Sequence, residues 1–211
     1  GEREIEAHAE HALGTTLLLR GLIADAIVHV WRAFELYEDD ASQLRTLNDL
    51  GVMFLALGRV HDAERALTEV VRRGARPERV TNALIELMHC SSFRRDRMGF
   101  ERRRAECESR TRDMPPNILA DFYLKAGVGS ARFGNFRKAR VQLGEALNVA
   151  TRSGLHELVF RIERLIAGLH DCTPQLNTKQ NTAVEPAAST NALQKVSAAL
   201  ARLERVPSGT R

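Results

Sequence analysis

Between Leu155 and Leu169 the large apolar residues fall at Leu155, Leu158, Val159, Ile162, Leu165, Ile166 and Leu169, the three-and-four spacing of one buried helical face. Similar spacing earlier in the chain predicts helices over 2–19 and 22–37, 42–57 and 60–73, 77–92 and 94–111, 115–132 and 135–152, and 155–169. Ser42 stands where an N-cap is expected, and Ser153-Gly154 closes the eighth helix. From Asp171 to Thr190 the pattern lapses into polar residues with two prolines, which reads as a flexible linker. It resumes from Asn191 to Val206, where Leu193, Val196, Leu200 and Leu203 share one helical face; 207–211 read as a disordered tail. An amphipathic helix of this kind must dock, either within the chain or on a second copy of it in a homodimer.

Three segments repeat one another. "LGTTLLLRGLIADAIVHVWRAF" (Leu13 to Phe34), "LGVMFLALGRVHDAERALTEVV" (Leu50 to Val71) and "AGVGSARFGNFRKARVQLGEAL" (Ala126 to Leu147) align three columns. The columns are Gly14, Gly51 and Gly127; Gly21, Gly58 and Gly134; and Ala26, Ala63 and Ala139. The first glycine lies inside a helix, where glycine costs roughly 1 kcal/mol against alanine, so a neighbouring helix is expected to pass too close for a side chain. The second follows an apolar run, where a left-handed residue ends a helix. The alanine lets the two helices of a unit approach. Val30, Leu67 and Leu143, four residues further on, face the shared core. The intervals between the first glycines are 37 and 76 residues, so a divergent unit is expected between about 77 and 112, where "VTNALIELMHC" and "FRRDRMGFERRRAECES" supply two helical patterns.

With these columns in place, residues 5–170 resemble the tetratricopeptide repeat family, whose units carry an aromatic, Leu-Gly, a large residue, a turn, a small Ala and a large apolar residue. "LNDLGVMF" places Leu47 at the aromatic position, "YLKAGVGS" keeps Tyr123 there, and "EHALGTTL" has Glu10. The resemblance implies an all-α fold: a right-handed, TPR-like helical-repeat solenoid of about four helix pairs and a fifth helix over 1–170, with the 191–206 helix separate. It also implies a concave binding side lined by the first helix of each unit. By helical phase that side includes His8, His11, Thr15, Arg45, Asn48, Val52, Asp121, Leu124, Val128 and Arg132. Some members grip a peptide's terminal carboxylate with Lys and Asn. Here His11, Thr15 and Asp49 stand at those places, so the resemblance does not extend to that clamp.

Composition narrows the chemistry. Of 31 basic residues only Lys125, Lys138, Lys179 and Lys195 are lysine, and 27 acids leave a net charge of +4. Eight arginines crowd residues 94–112, but Asp96, Glu101, Glu106, Glu108 and Asp113 interleave with them, and Glu101–Arg104, Glu106–Arg110 and Glu108–Arg112 stand at pairing distance along a helix. This reads as a self-paired solvated helix, with a site for an acidic partner as the alternative. With no interleaved aromatics, it is not read as a nucleic-acid site. Cys90, Cys107 and Cys172 are odd in number and widely spaced, so neither a disulfide framework nor a zinc knuckle is expected. No run approaches the roughly 18 apolar residues of a membrane span. A cytoplasmic location follows as an expectation.

The catalytic candidates do not hold together. His61-Asp62 are adjacent on a helix, point apart, and fall in a variable column expected to be exposed. Glu4, His8 and His11 share a face at metal-ligand spacing but lack an evident fourth ligand, so no metal and no cofactor is expected. His89, Cys90 and Cys107 read as packed, unreactive groups. "GVGSARFG" lacks the Gly-Lys-Ser/Thr of a phosphate loop. The expected function is a non-catalytic protein- or peptide-binding scaffold. The alternative is a ligand- or peptide-sensing domain of a larger transcriptional regulator or signalling ATPase. That alternative is motivated by "EREIEAHAEHAL", which is helical from the first residues with no N-cap ahead and suggests a piece of a longer protein.

Overall fold

The computed structural model describes residues 1–74, 76–170 and 187–203. All regular structure among them is helical: α1 (Glu2–Leu19), α2 (Ile23–Leu36), α3 (Asp40–Ala56), α4 (Val60–Arg73), α5 (Pro77–Phe93), α6 (Arg97–Glu108), α7 (Pro116–Arg132), α8 (Phe136–Arg152), α9 (His156–His170) and α10 (Ala187–Leu203), with one 3-10 turn at Thr111–Asp113. None of these helices is long and apolar enough to cross a membrane. The chain divides into two compact units, and the boundary falls inside α5 between Ala83 and Leu84. The span 1–170, expected as one repeat domain, is thus shared between the two units.

In the first unit α1 packs on α2, α2 on α3, and α3 on α4. The glycine and alanine columns explain this order. A Cβ on Gly14 would meet a Val30 methyl at 2.5 Å, and one on Gly51 would meet Leu67 Cγ at 2.5 Å. The helices thus cross where the first lacks a side chain. Ala26 and Ala63 have no exposed surface, as a close crossing requires. Gly21 and Gly58 take φ of +78° and +74°. Each turn is closed by paired backbone bonds, Gly21 N–H to Leu18 O with Leu22 N–H to Leu17 O, and Gly58 N–H to Leu55 O with Arg59 N–H to Phe54 O. The cap of α3 is Asp39, whose carboxylate accepts from the Ser42 N–H at 2.7 Å, so Ser42 is the capped residue rather than the cap.

α10 belongs to this unit and packs against α2 and α4. Leu193, Val196 and Leu200 are buried and Leu203 is partly so. The helix starts at Ala187, inside the expected linker; 171–186 and 204–211 lie outside the described residues. Docking of α10 corrects the reading of His61-Asp62. His61 is exposed, but Asp62 is only 5% exposed. Its carboxylate takes a hydrogen bond from the Ser197 hydroxyl at 2.5 Å and ion pairs from Arg59 at 2.8 Å and Arg65 at 3.3 Å.

In the second unit α6 packs on α7, α7 on α8, and α8 on α9. A Cβ on Gly127 would lie 2.7 Å from Leu143 Cγ, so the third copy of the glycine column makes the same crossing. Gly134 and Gly154 close α7 and α8 at φ of +76° and +67°. The core between α7, α8 and α9 holds Ala120, Leu124, Ala139, Leu143, Ala146 and Ile162. The divergent unit falls between the two regular patterns. Arg95, 37 residues after Gly58, occupies its glycine position at φ +59°, with the same paired turn bonds, Arg95 N–H to Ser92 O and Asp96 N–H to Ser91 O. Phe100 takes the place of the alanine, and a Cβ on Gly129 would collide with its ring. The divergent unit therefore places its bulk where its sisters are small, and α7 carries a compensating glycine.

Candidate ligand-binding faces

In the first unit, polar side chains of α1 and α3 meet at the C-terminal end of α2. His11 Nε2 donates to Asp49 Oδ2 at 2.9 Å. Its Nδ1 lies 3.4 Å from the Tyr37 hydroxyl, which is also 3.0 Å from His8 Nδ1. Tyr37 is 2% exposed, and both imidazoles stand edge-on to its ring. Helical phase alone places His8 and His11 on one face; the tyrosine that joins them lies outside the aligned columns. Glu4 is exposed, and among the described residues no three His, Cys, Asp or Glu side chains are placed to hold a metal ion. Thr15 is exposed and turns its hydroxyl back to His11 O at 3.0 Å. Arg45 and Val52 are also exposed, while Asn48 is half-buried with its Oδ1 buried and unpartnered.

In the second unit the polar face is built from α5 and α7. Lys125 bridges Glu86 and Asp121, the latter at 2.6 Å. Burial opposes the Lys125 ammonium, but the two carboxylates outweigh it and hold its pKa above the ordinary lysine value. Burial also raises Glu86 against the pull of Lys125. Arg132, at the C-terminal end of α7, donates to the Ser92 hydroxyl at 2.7 Å and lies 3.7 Å over the Phe93 ring. The Ser92 hydroxyl in turn donates to His89 O at 2.7 Å. His89 stands edge-on to the same phenyl ring, its centroid 4.9 Å away. Its Nδ1 is buried with no partner, and burial, reinforced by Arg132, Lys125 and Arg161, lowers its pKa well below 6.5. Burial, with Arg95 alongside, brings Arg132 down to about 10.

Two residues assigned to this face sit otherwise. Leu124 is 1% exposed and belongs to the core with α8 and α9, and Val128 is half-buried against that core. The phase of α7 alone does not reveal that α8 and α9 both feed this core. Glu86, His89, Ser92 and Phe93 were not among the expected face residues, because the divergent unit lacks the glycine columns that set the helical phase elsewhere. The arginine-rich helix α6 is largely self-paired: Arg104 with Glu101 at 2.9 Å and Glu108 at 2.8 Å, and Arg110 with Glu106 at 3.6 Å. Glu108 thus pairs with Arg104 rather than with Arg112. Cys90 and Cys107 are buried, and burial pushes the Cys107 thiol up to about 12, far from a reactive thiolate.

No family model, no curated protein and no solved structure matches this chain.

Proposed function

We propose that this chain is a non-catalytic recognition module: a tetratricopeptide-like repeat scaffold that binds a protein or peptide partner on faces formed by the first helices of its pairs. One observation carries the reading. Among the described residues, the buried side-chain polar atoms without a hydrogen-bond partner are Asn48 Oδ1 and His89 Nδ1. Both lie on first helices, α3 and α5. An unpaired buried polar group costs about 1–3 kcal/mol, and such groups call for an explanation beyond folding. A ligand's donor or acceptor supplies one. Around Asn48, the exposed Arg45, Val52 and Thr15 provide mixed polar and apolar contact on rigid elements.

The test is a peptide-display selection against the chain, followed by affinity measurement on variants. Asn48→Leu and His89→Leu each remove an orphaned group without enlarging the side chain greatly. Selected peptides should lose at least tenfold in affinity on one of the two. A selection that returns no binder, or binders indifferent to both variants, contradicts the proposal. A second reading, the ligand-sensing domain of a larger transcriptional regulator or signalling ATPase, is favoured by the neighbouring cations Arg95 and Arg132, which suit a small charged effector.

A further inference from the structure

Arg132 is a half-buried guanidinium with no carboxylate in ion-pair range among the described residues. Its neighbours are the Ser92 hydroxyl, the Phe93 ring face and a second cation, Arg95, whose guanidinium donates to the Arg132 backbone carbonyl. Other buried cations in this unit are treated differently. Lys125, about two turns earlier on α7, has two carboxylates. Desolvating a positive charge without a counter-ion is unfavourable, and placing a second arginine beside it adds repulsion.

Arg95 makes the arrangement harder to attribute to folding alone. It is the one non-glycine residue at positive φ among the described residues, at +59°. Its counterparts Gly21, Gly58 and Gly134 are glycine. A left-handed side-chain-bearing residue costs roughly 1–2 kcal/mol, and strained backbone of this kind concentrates at functional sites. Here the strain delivers a second guanidinium to the end of α7. His89, edge-on to the ring that Arg132 covers, adds a buried nitrogen with no partner.

We propose that Arg132 and Arg95, with His89 Nδ1 as a third donor, receive one oxyanion of a bound ligand, a carboxylate or a phosphate. Planar guanidinium forks match both groups bidentately. Arg95 is exposed, which gives the anion a route in from solvent. The Phe93 face holds the Arg132 fork in place without consuming its donors. A bound oxyanion favours the Nδ1–H form of His89 and gives the orphaned nitrogen its partner. The inference rests on the recognition reading and names the ligand chemistry of the second unit's face.

The experiment is an NMR titration of the whole chain with inorganic phosphate and, separately, succinate, each against sodium chloride at matched ionic strength. The reporters are the His89 ring carbon and the backbone amides of Ser92 and Phe93. Phosphate or succinate should give a saturating shift that chloride does not, and the anion that saturates at lower concentration identifies the group. Arg132→Gln should raise the midpoint at least tenfold. Arg95→Gly, which relieves backbone strain and so keeps the fold, should also raise it severalfold. A response that is linear and equal to that of chloride, or a midpoint unchanged in both variants, overturns the inference. Its failure is separable from that of the recognition reading. Uncharged selected peptides that depend on Asn48, with no anion response, sink the oxyanion alone. An anion response with no peptide binder from selection keeps the oxyanion and sinks the peptide reading.

Discussion

A methyl group on Gly51 would lie 2.5 Å from Leu67 Cγ. The α3–α4 crossing is set by that absence. Gly51→Ala gains about 1 kcal/mol of helix propensity but overpacks the crossing by roughly 1–3 kcal/mol, so it should destabilise the chain. In a Leu67→Ala background the collision disappears, and the same substitution should become stabilising by about 1 kcal/mol. Urea unfolding of the four species checks this change of sign. The Gly14–Val30 and Gly127–Leu143 pairs should behave alike.

Arg95→Gly should raise stability by about 1 kcal/mol, because it removes left-handed strain and a cation beside Arg132. Thermal unfolding reads the gain. Gly58→Arg, the converse change at φ +74°, should destabilise by a similar amount.

Removing Lys125 leaves Glu86 and Asp121 facing each other in a buried site. Lys125→Met should cost about 3–5 kcal/mol, the range for breaking a buried pair from one side. Lys125→Met combined with Glu86→Gln should recover a large part of that loss. Equal losses in the single and double variants would show that the ion pair is not the source.

His89 predicts a pH dependence of definite sign. Its folded pKa lies well below 6.5, so the unfolded chain takes up the proton first as pH falls. Stability contributed by the neutral ring is full above about pH 6.5 and declines as pH drops below it, by up to about 1.4 kcal/mol per unit. His89→Phe should flatten the slope relative to wild type between pH 6.5 and 5.5. Glu86 is shifted the opposite way and is common to both chains, so the comparison isolates His89.

Docking of α10 ties it to α2 and α4. Leu200→Ala should cost about 2–5 kcal/mol, as for a buried leucine, and Leu200→Asp should release the helix and increase binding of a hydrophobic dye. Ser197→Ala leaves Asp62 with Arg59 and Arg65 and should cost only about 0.5–1.5 kcal/mol. Sedimentation mass should be unchanged by Leu200→Asp; a fall in mass would place α10 on a second copy instead.

The helices and their crossings were legible in sequence because glycine and alanine columns report a backbone requirement directly. Gly51 against Leu67 and left-handed Gly58 both follow from local chemistry repeated in register. Three features were not legible, for distinct reasons. Asp62 looked exposed because what covers it, Ser197 on α10, lies 135 residues away. Leu124 looked like groove because one helix's phase does not say how many neighbours surround it. Arg95 was invisible as a turn residue because the signal for a left-handed position is glycine, and here an arginine takes it. The faces were partly legible: His8 and His11 do converge, but through Tyr37 at the end of α2. His89 and Phe93 lie in the unit whose columns have diverged.

The most direct test of recognition on the first helices is valine methyl NMR with a selected peptide. Val52 on α3 reports the face around Asn48; Val141, 63% exposed on the second helix α8, is the control. For a peptide whose affinity depends on Asn48, saturating shifts are expected at Val52 with Val141 unmoved. Shifts confined to Val141, with Val52 unchanged at saturation, would contradict recognition on the first helices.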